Sequence, residues 1–83
     1  MPHEPYYSTG PDASGDGFAV SMDALTVALA RRKTSGEWEL SSTAPLAFRT
    51  VSLGDLDEEQ ARRRAVAWVE HHVATERPDL LAD

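Results

Sequence analysis

Residues 21–33, Ser21-Met22-Asp23-Ala24-Leu25-Thr26-Val27-Ala28-Leu29-Ala30-Arg31-Arg32-Lys33, fit two templates, and the choice between them decides the fold. As a strand, Leu25, Val27 and Leu29 alternate with Thr26, Ala28 and Ala30, and Lys33-Thr34-Ser35-Gly36 follows as a hairpin loop of the four-residue kind. As a helix, Ser21 is the N-cap, Met22, Leu25, Leu29 and Arg32 fall at helical spacing, and Gly36 ends the run. The neighbouring segment tips the reading toward the strand. Glu37-Trp38-Glu39-Leu40-Ser41 alternates cleanly, and a hairpin needs a partner strand of similar length directly before it.

Downstream, Leu46-Ala47-Phe48-Arg49-Thr50-Val51-Ser52-Leu53 is rich in β formers and follows Pro45, a residue that starts a strand or breaks its predecessor. Its apolar parity changes, with Leu46 and Phe48 on one phase and Val51 and Leu53 on the other. A bulge near Arg49-Thr50, or a strand covered on both faces, reconciles them. Beyond it the signals for a helix from about Asp57 to Glu76 accumulate. Asp57 and Gln60 form a capping-box pattern, Leu56 can staple onto Ala61, and Glu58 and Glu59 stand in the first turn where the helix dipole favours acids. Ala61, Ala65, Trp68, Val69, His72 and Val73 mark the buried stripe, and Pro78 forbids continuation. Glu58 with Arg62 and Glu59 with Arg63 pair at i,i+4, which makes Arg62-Arg63-Arg64 a solvated, internally paired helix face.

Upstream, residues 1–17 hold Pro2, Pro5, Pro11, Gly10, Gly15 and Gly17 among Ser, Asp and Thr, without apolar periodicity. Such a stretch does not offset the entropy of ordering. Residues 1–20 are therefore expected to be a flexible, disordered acidic tail, and residues 21–83 a single small domain. Tyr6-Tyr7 is an aromatic pair in that tail, read as ordinary exposed tyrosines. The expected fold is α+β: a three-stranded antiparallel sheet (about 24–33, 36–42 and 46–53) packed against one long C-terminal helix (about 57–76).

The whole chain has 83 residues, 41% hydrophobic and 27% charged, with no cysteine and a net charge of −6. That length supports one core, which buries only about 60–65% of the unfolded chain's surface, so a binding partner is a natural source of further stability. The missing cysteines exclude a disulfide framework, a thiol nucleophile and a cysteine zinc site. The acidity belongs to the ends, since residues 1–23 and 55–83 each carry −4 while residues 24–54 carry +2. Nucleic acid is an unlikely partner for such a chain, because non-specific affinity follows net sign. No apolar run reaches the roughly 18–20 residues of a membrane span, and Met1-Pro2-His3-Glu4-Pro5 lacks a signal peptide's regions, so no membrane association and a cytoplasmic location are expected.

Candidate chemistry is sparse. His71 and His72 are neighbours on a helix and point about 100° apart, so they do not share a metal, and His72 reads as the edge of the apolar stripe. Ser41, Ser42 and Ser52 lack a nucleophile-elbow context, and Gly10, Gly15 and Gly17 do not form a phosphate loop after a strand. The reading is that of a non-enzyme without cofactor or metal, acting through an interaction surface.

Residues 27–81 resemble the MbtH-like proteins. Trp38 is followed by Pro45 at the spacing that separates the family's Ser-x-Trp-Pro and Pro-x-Gly-Trp elements, and Pro45-Leu46-Ala47-Phe48 sets an aromatic residue where the family has its second Trp. Trp68-Val69-Glu70 and Val73-Ala74-Thr75-Glu76-Arg77-Pro78 match the end of its helix and its Trp-Thr-Asp-x-Arg-Pro element, with Leu81 in register. The family's Ser, its Pro after Trp and its final Trp are here Gly36, Glu39 and Val73, and Phe48 to the helix is about four residues longer. The resemblance implies a small accessory protein of nonribosomal peptide biosynthesis that binds and stabilises or activates a larger enzyme, its adenylation domain gripped by an aromatic pair. The implied partner-binding residues are Trp38, Pro45, Leu46, Phe48, Arg77 and Pro78. If the helix covers one sheet face, Trp38 and Phe48 can stand together on the other as an aromatic anchor, with ordinary core packing of each as the alternative. A second resemblance points elsewhere. Ser52-Leu53-Gly54-Asp55-Leu56-Asp57-Glu58-Glu59-Gln60-Ala61 looks like the helix start of HicB-like antitoxins, which neutralise a small toxin. The third alternative is an unclassified acidic phage or host interaction protein. The oligomeric state is not readable from the chain.

Overall fold

The computed structural model describes residues 5–12, 15 and 17–81. Within the stretch that fits both templates, Leu25–Arg32 is a strand at the centre of five, while Ser21 and Met22 end the strand before it. β1 (Tyr7–Pro11), β2 (Gly17–Met22), β3 (Leu25–Arg32), β4 (Glu37–Ser42) and β5 (Arg49–Asp55) form one antiparallel sheet in sequence order, followed by helix α1 (Glu58–Glu76) and a short 3₁₀ turn at Pro78–Leu81.

The expected three-stranded sheet and its disordered tail are therefore corrected. β1 and most of β2 fall in residues 1–20, and of that stretch residues 1–4, 13, 14 and 16 lie outside the described residues. The physical reason is Phe18-Ala19-Val20-Ser21-Met22, which alternates strictly and buries Phe18, Val20 and Met22 on one face. β1 adds to it with Tyr7 opposite Met22 and Pro11 opposite Phe18, and Asp23 clips the start of β1: its amide donates to the Tyr6 carbonyl at 2.7 Å and its carboxylate accepts from the Tyr6 amide at 3.0 Å.

The hairpin from β3 to β4 closes as its sequence suggests. The Lys33 amide donates to the Glu37 carbonyl at 2.8 Å, and Gly36 takes a φ of 96°, which L side chains rarely adopt. The third expected strand begins later than its composition indicates. Residues 43–48 form a loop with a cis Ala44-Pro45 peptide, so Leu46 and Phe48 leave the strand and the change of parity disappears with them. A bulge is present, but at Leu53, the residue left over between the Glu39–Ser52 and Trp38–Gly54 pairs, and not at Arg49-Thr50.

Helix α1 covers one face of the sheet. Asp57 caps it: the Gln60 amide donates to Asp57 Oδ1 at 2.8 Å and the Asp57 amide to Gln60 Oε1 at 3.4 Å, a closed capping box. Ala61, Ala65, Val69 and Val73 are buried, whereas Trp68 and His72, expected in the same stripe, are half-buried at its margin. The core that these buried residues join includes Phe18, Trp38 and Leu40 with Val20, Val27 and Leu53. The opposite face carries Gly10, Ala19, Leu29, Ser41 and Thr50 in one row across all five strands, small and polar residues around the exposed side chain of Leu29. No helix among the described residues is long and apolar enough to cross a membrane.

At Gly17 the backbone of β3 passes where a side chain would stand. A Cβ built there would meet the Ala30 carbonyl oxygen at 1.8 Å, whereas one on Gly10 would meet nothing within 4 Å. Gly17→Ala is expected to destabilise the fold by about 2–3 kcal/mol, because backbone must move to admit it, while Gly10→Ala changes stability by less than about 0.5 kcal/mol. Urea unfolding of the two variants measures the contrast, and equal midpoints would refute the register between β2 and β3.

Candidate protein-interaction surface

The side chains singled out by the sequence separate into one buried residue and one cluster. Trp38 alternates with Glu37 and Glu39 on β4, and its parity turns it toward the helix, not away from it. It is 3% exposed, its ring lies 5.3 Å from that of Phe18, and its indole N–H donates to the Leu56 carbonyl at 2.9 Å. Phe48 is 77% exposed. The expected aromatic pair on the open face is thus not formed, because Trp38 finds its apolar and polar partners inside the core.

Of the other five, Pro45 and Arg77 meet where the β4–β5 loop reaches the end of α1, with Leu46 and Phe48 on that loop and Pro78 next to Arg77. Leu46 turns inward and is buried, plugging the core beneath the loop. Arg77 Nη1 donates to the Pro45 carbonyl at 3.0 Å, while its Nε and Nη2 form a fork on the Asp79 carboxylate at 3.0 and 2.9 Å. That fork raises the pKa of Arg77 and lowers that of Asp79, chiefly through the shared hydrogen bonds. Pro78 follows as the first residue of the 3₁₀ turn. From the strand side, buried Ser42 holds the loop: its hydroxyl donates to the Ala47 carbonyl at 2.7 Å and accepts from the Arg49 amide at 3.2 Å. Arg49 then pairs with Glu76 at 3.2 Å. Phe48 projects from a loop fixed on both sides.

A second feature lies at the opposite edge of the sheet. Between β1 and α1 runs an open groove of about 540 Å³, lined by Tyr7, Thr9, Arg63, Val66, Ala67 and Glu70 among others. Tyr6 at its mouth is exposed, while Tyr7 is half-buried and packs on the core, so the two tyrosines differ in role. The arginine run makes its expected pairs, Glu58 with Arg62 at 3.1 Å and Glu59 with Arg63 at 2.9 Å. It is not merely a solvated face, however. Arg62 also donates to the Thr9 hydroxyl at 3.0 Å and stands 5.2 Å over the Phe18 ring, and Arg64 reaches the Leu53 carbonyl at 3.4 Å.

The polar side chains considered for chemistry have structural partners. His72 stacks on Trp68 at 3.9 Å between ring centroids and bonds to the Trp68 carbonyl through Nδ1. Ser41 bonds to Thr50, and Ser52 accepts from the Gly54 amide. Among the described residues, no group of three or more His, Cys, Asp or Glu is placed to hold a metal ion. No protein-family model matches the chain, and neither does any curated protein or solved structure.

Two outcomes follow from the burial of these rings. Trp38→Ala is expected to cost about 3–5 kcal/mol, and Trp38→Phe about 1–2 kcal/mol for the Leu56 carbonyl left unpaired. A denaturation midpoint unchanged by Trp38→Ala would overturn its place in the core. For Tyr7, burial first, then the charges of Glu70 and Asp23, raise the phenol pKa above its ordinary 10.0. The folded state therefore holds that proton more tightly than the unfolded chain, a contribution complete below pH 10 and lost as pH rises through the higher folded value. Stability of the wild type should accordingly fall faster above pH 10 than that of Tyr7→Phe, and parallel curves would refute the assignment.

Proposed function

We propose that this chain is a non-catalytic protein-binding domain that acts by seating Phe48 in an apolar pocket of a larger protein partner. The observation that carries the reading is the 77% exposure of a phenylalanine on a loop tied down by Leu46, Ser42 and Arg77. Single exposed apolar residues are common on protein surfaces. What distinguishes Phe48 is that its loop is already ordered, so little further conformational entropy is lost on binding. Large aromatic side chains are also the usual anchors of small interfaces.

The net charge of −6 supports a protein partner over nucleic acid. The structural use of His72, Ser41, Ser42 and Ser52 supports a binding role over catalysis. Within this reading, the MbtH-like resemblance supplies one class of larger partner, an adenylation domain, toward which this chain displays Phe48, Pro45, Arg77 and Pro78 but not Trp38. A partner that binds only the folded, competent form of its own chain would be stabilised by mass action.

The test is quantitative co-purification of the tagged protein from the cells that make it, comparing wild type with Phe48→Ala. Phe48→Ala should lose a stoichiometric protein partner by about 30-fold, the scale of a hot-spot residue, while its melting temperature stays within about 3 °C. A partner retained in full by Phe48→Ala, or no stoichiometric partner of the wild type, would refute the proposal.

A further inference from the structure

The two edges of the sheet are not equivalent. β5 is broken by the bulge at Leu53, and the guanidinium of Arg64 occupies the Leu53 carbonyl, both common means of keeping an edge from pairing. β1 has neither protection. Tyr7-Ser8-Thr9-Gly10-Pro11 contains no charged residue and no bulge, and among the described residues it pairs on one side only, with β2. Because the Tyr6 carbonyl faces Asp23 of the β2–β3 turn, strand alternation turns the main-chain groups of Ser8 and Gly10 toward β2. Those of Tyr7 and Thr9 turn away from the sheet, and their side chains face the groove.

The groove beside this edge is arranged by charge along its length. Arg62 stands at the Thr9 end, with its guanidinium on the Thr9 hydroxyl, and Arg63 is next to it on the helix. Glu70, two turns farther along α1, stands at the Tyr7 end, and Val66 and Ala67 lie between. Arg62 and Arg63 keep Glu58 and Glu59 as partners at 3.1 and 2.9 Å, so one end is an ion-paired arginine end; with an apolar middle and Glu70 at the other end, the order along an antiparallel strand edge matches itself under a two-fold rotation.

We propose that β1 pairs with β1 of a second copy of this chain, antiparallel about a two-fold axis at Ser8. In that register Tyr7 of each copy faces Thr9 of the other, and each such pair exchanges its outward N–H and C=O groups. Pro11, which has no N–H to offer, falls outside these pairs. The rotation carries the Glu70 end of one groove to the Arg63 end of the other, while the Val66 regions meet near the axis. The occupant is a second copy, in preference to an unrelated peptide, because the charge order fits its own inversion.

Sedimentation velocity from low to high micromolar concentration tests this. The wild type is expected to move from monomer to dimer. Thr9→Pro removes an outward N–H without touching the ladder to β2 and should leave only monomer. Arg63→Glu, at a largely exposed helix position, should weaken the dimer about tenfold by facing Glu70 of the second copy with a like charge, and adding Glu70→Arg should restore it. Phe48→Ala should leave the dimer unchanged, which separates this surface from the proposed partner site. A wild type that stays monomeric throughout, a dimer unaffected by both Thr9→Pro and Arg63→Glu, or a dimer abolished by Phe48→Ala would each overturn the proposal. So would capture of an unrelated extended peptide at this edge by a chain that remains monomeric.

Discussion

The indole of Trp38 joins three parts of the chain that are far apart in sequence. Its ring packs on Phe18 of β2, its N–H holds the Leu56 carbonyl just before the helix cap, and its backbone lies between β3 and β5. A domain of this size has little apolar surface to bury, and one large ring that meets both the second strand and the start of the helix orders a sizeable share of it. The consequence for α1 is direct. The indole N–H holds the chain just before the helix, and on the buried stripe Ala61 and Ala65 precede the larger Val69 and Val73. The position of the helix then determines what its two ends can reach. Arg62 and Arg64 touch β1 and β5 near the start, and at the end Glu76 meets Arg49 at the start of β5 while Arg77 touches the β4–β5 loop.

Much of this is written locally in the chain, and what was missed was missed for identifiable reasons. The helix could be read to within a residue because Asp57, Gln60 and Pro78 act on their immediate neighbours. β3 and β4 were readable because Glu37-Trp38-Glu39-Leu40 alternates and Gly36 supplies the turn. β1 and β2 were obscured by the density of Gly and Pro between Gly10 and Gly17, which imitates a disordered segment. Pro11 only ends a strand here, and Gly17 is small because the Ala30 carbonyl passes against it. The alternation Phe18-Ala19-Val20-Ser21-Met22 was the available signal, and its reach was hidden by Ser21 and Met22 also fitting the start of a helix.

The choice for Trp38 between exposed anchor and core packing turns on that same strand. Parity along β4 places Trp38, Leu40 and Ser42 on one face, but nothing local says which face the helix covers. Without β2 there is no Phe18 to receive the ring, and an unpartnered tryptophan on a small sheet reads naturally as an exposed anchor. The cluster of Pro45, Leu46, Arg77 and Pro78 was legible as a group, though for a different reason than its members' contacts. A proline-containing loop and an Arg-Pro helix end are both punctuation, and on a meander with one C-terminal helix these two breaks fall at the same end of the molecule.

The topology also sets the relation between the two surfaces. Strand order follows sequence order, so the unprotected edge at β1 and the loop bearing Phe48 lie on opposite sides of the sheet. Pairing through β1 therefore extends the sheet without covering either loop, and the two-fold axis leaves a Phe48 at each far end. Two anchors held by a continuous sheet have a fixed separation, unlike two joined by a flexible linker. Such a dimer gains from bivalency only toward a partner whose pockets match that spacing, because an effective concentration vanishes when the connection cannot span both sites. A monomer with one Phe48 makes no such selection. The edge that the sequence leaves bare at Tyr7 and Thr9 would in this way act on specificity at a loop it does not touch, through nothing more than the order of the strands between them.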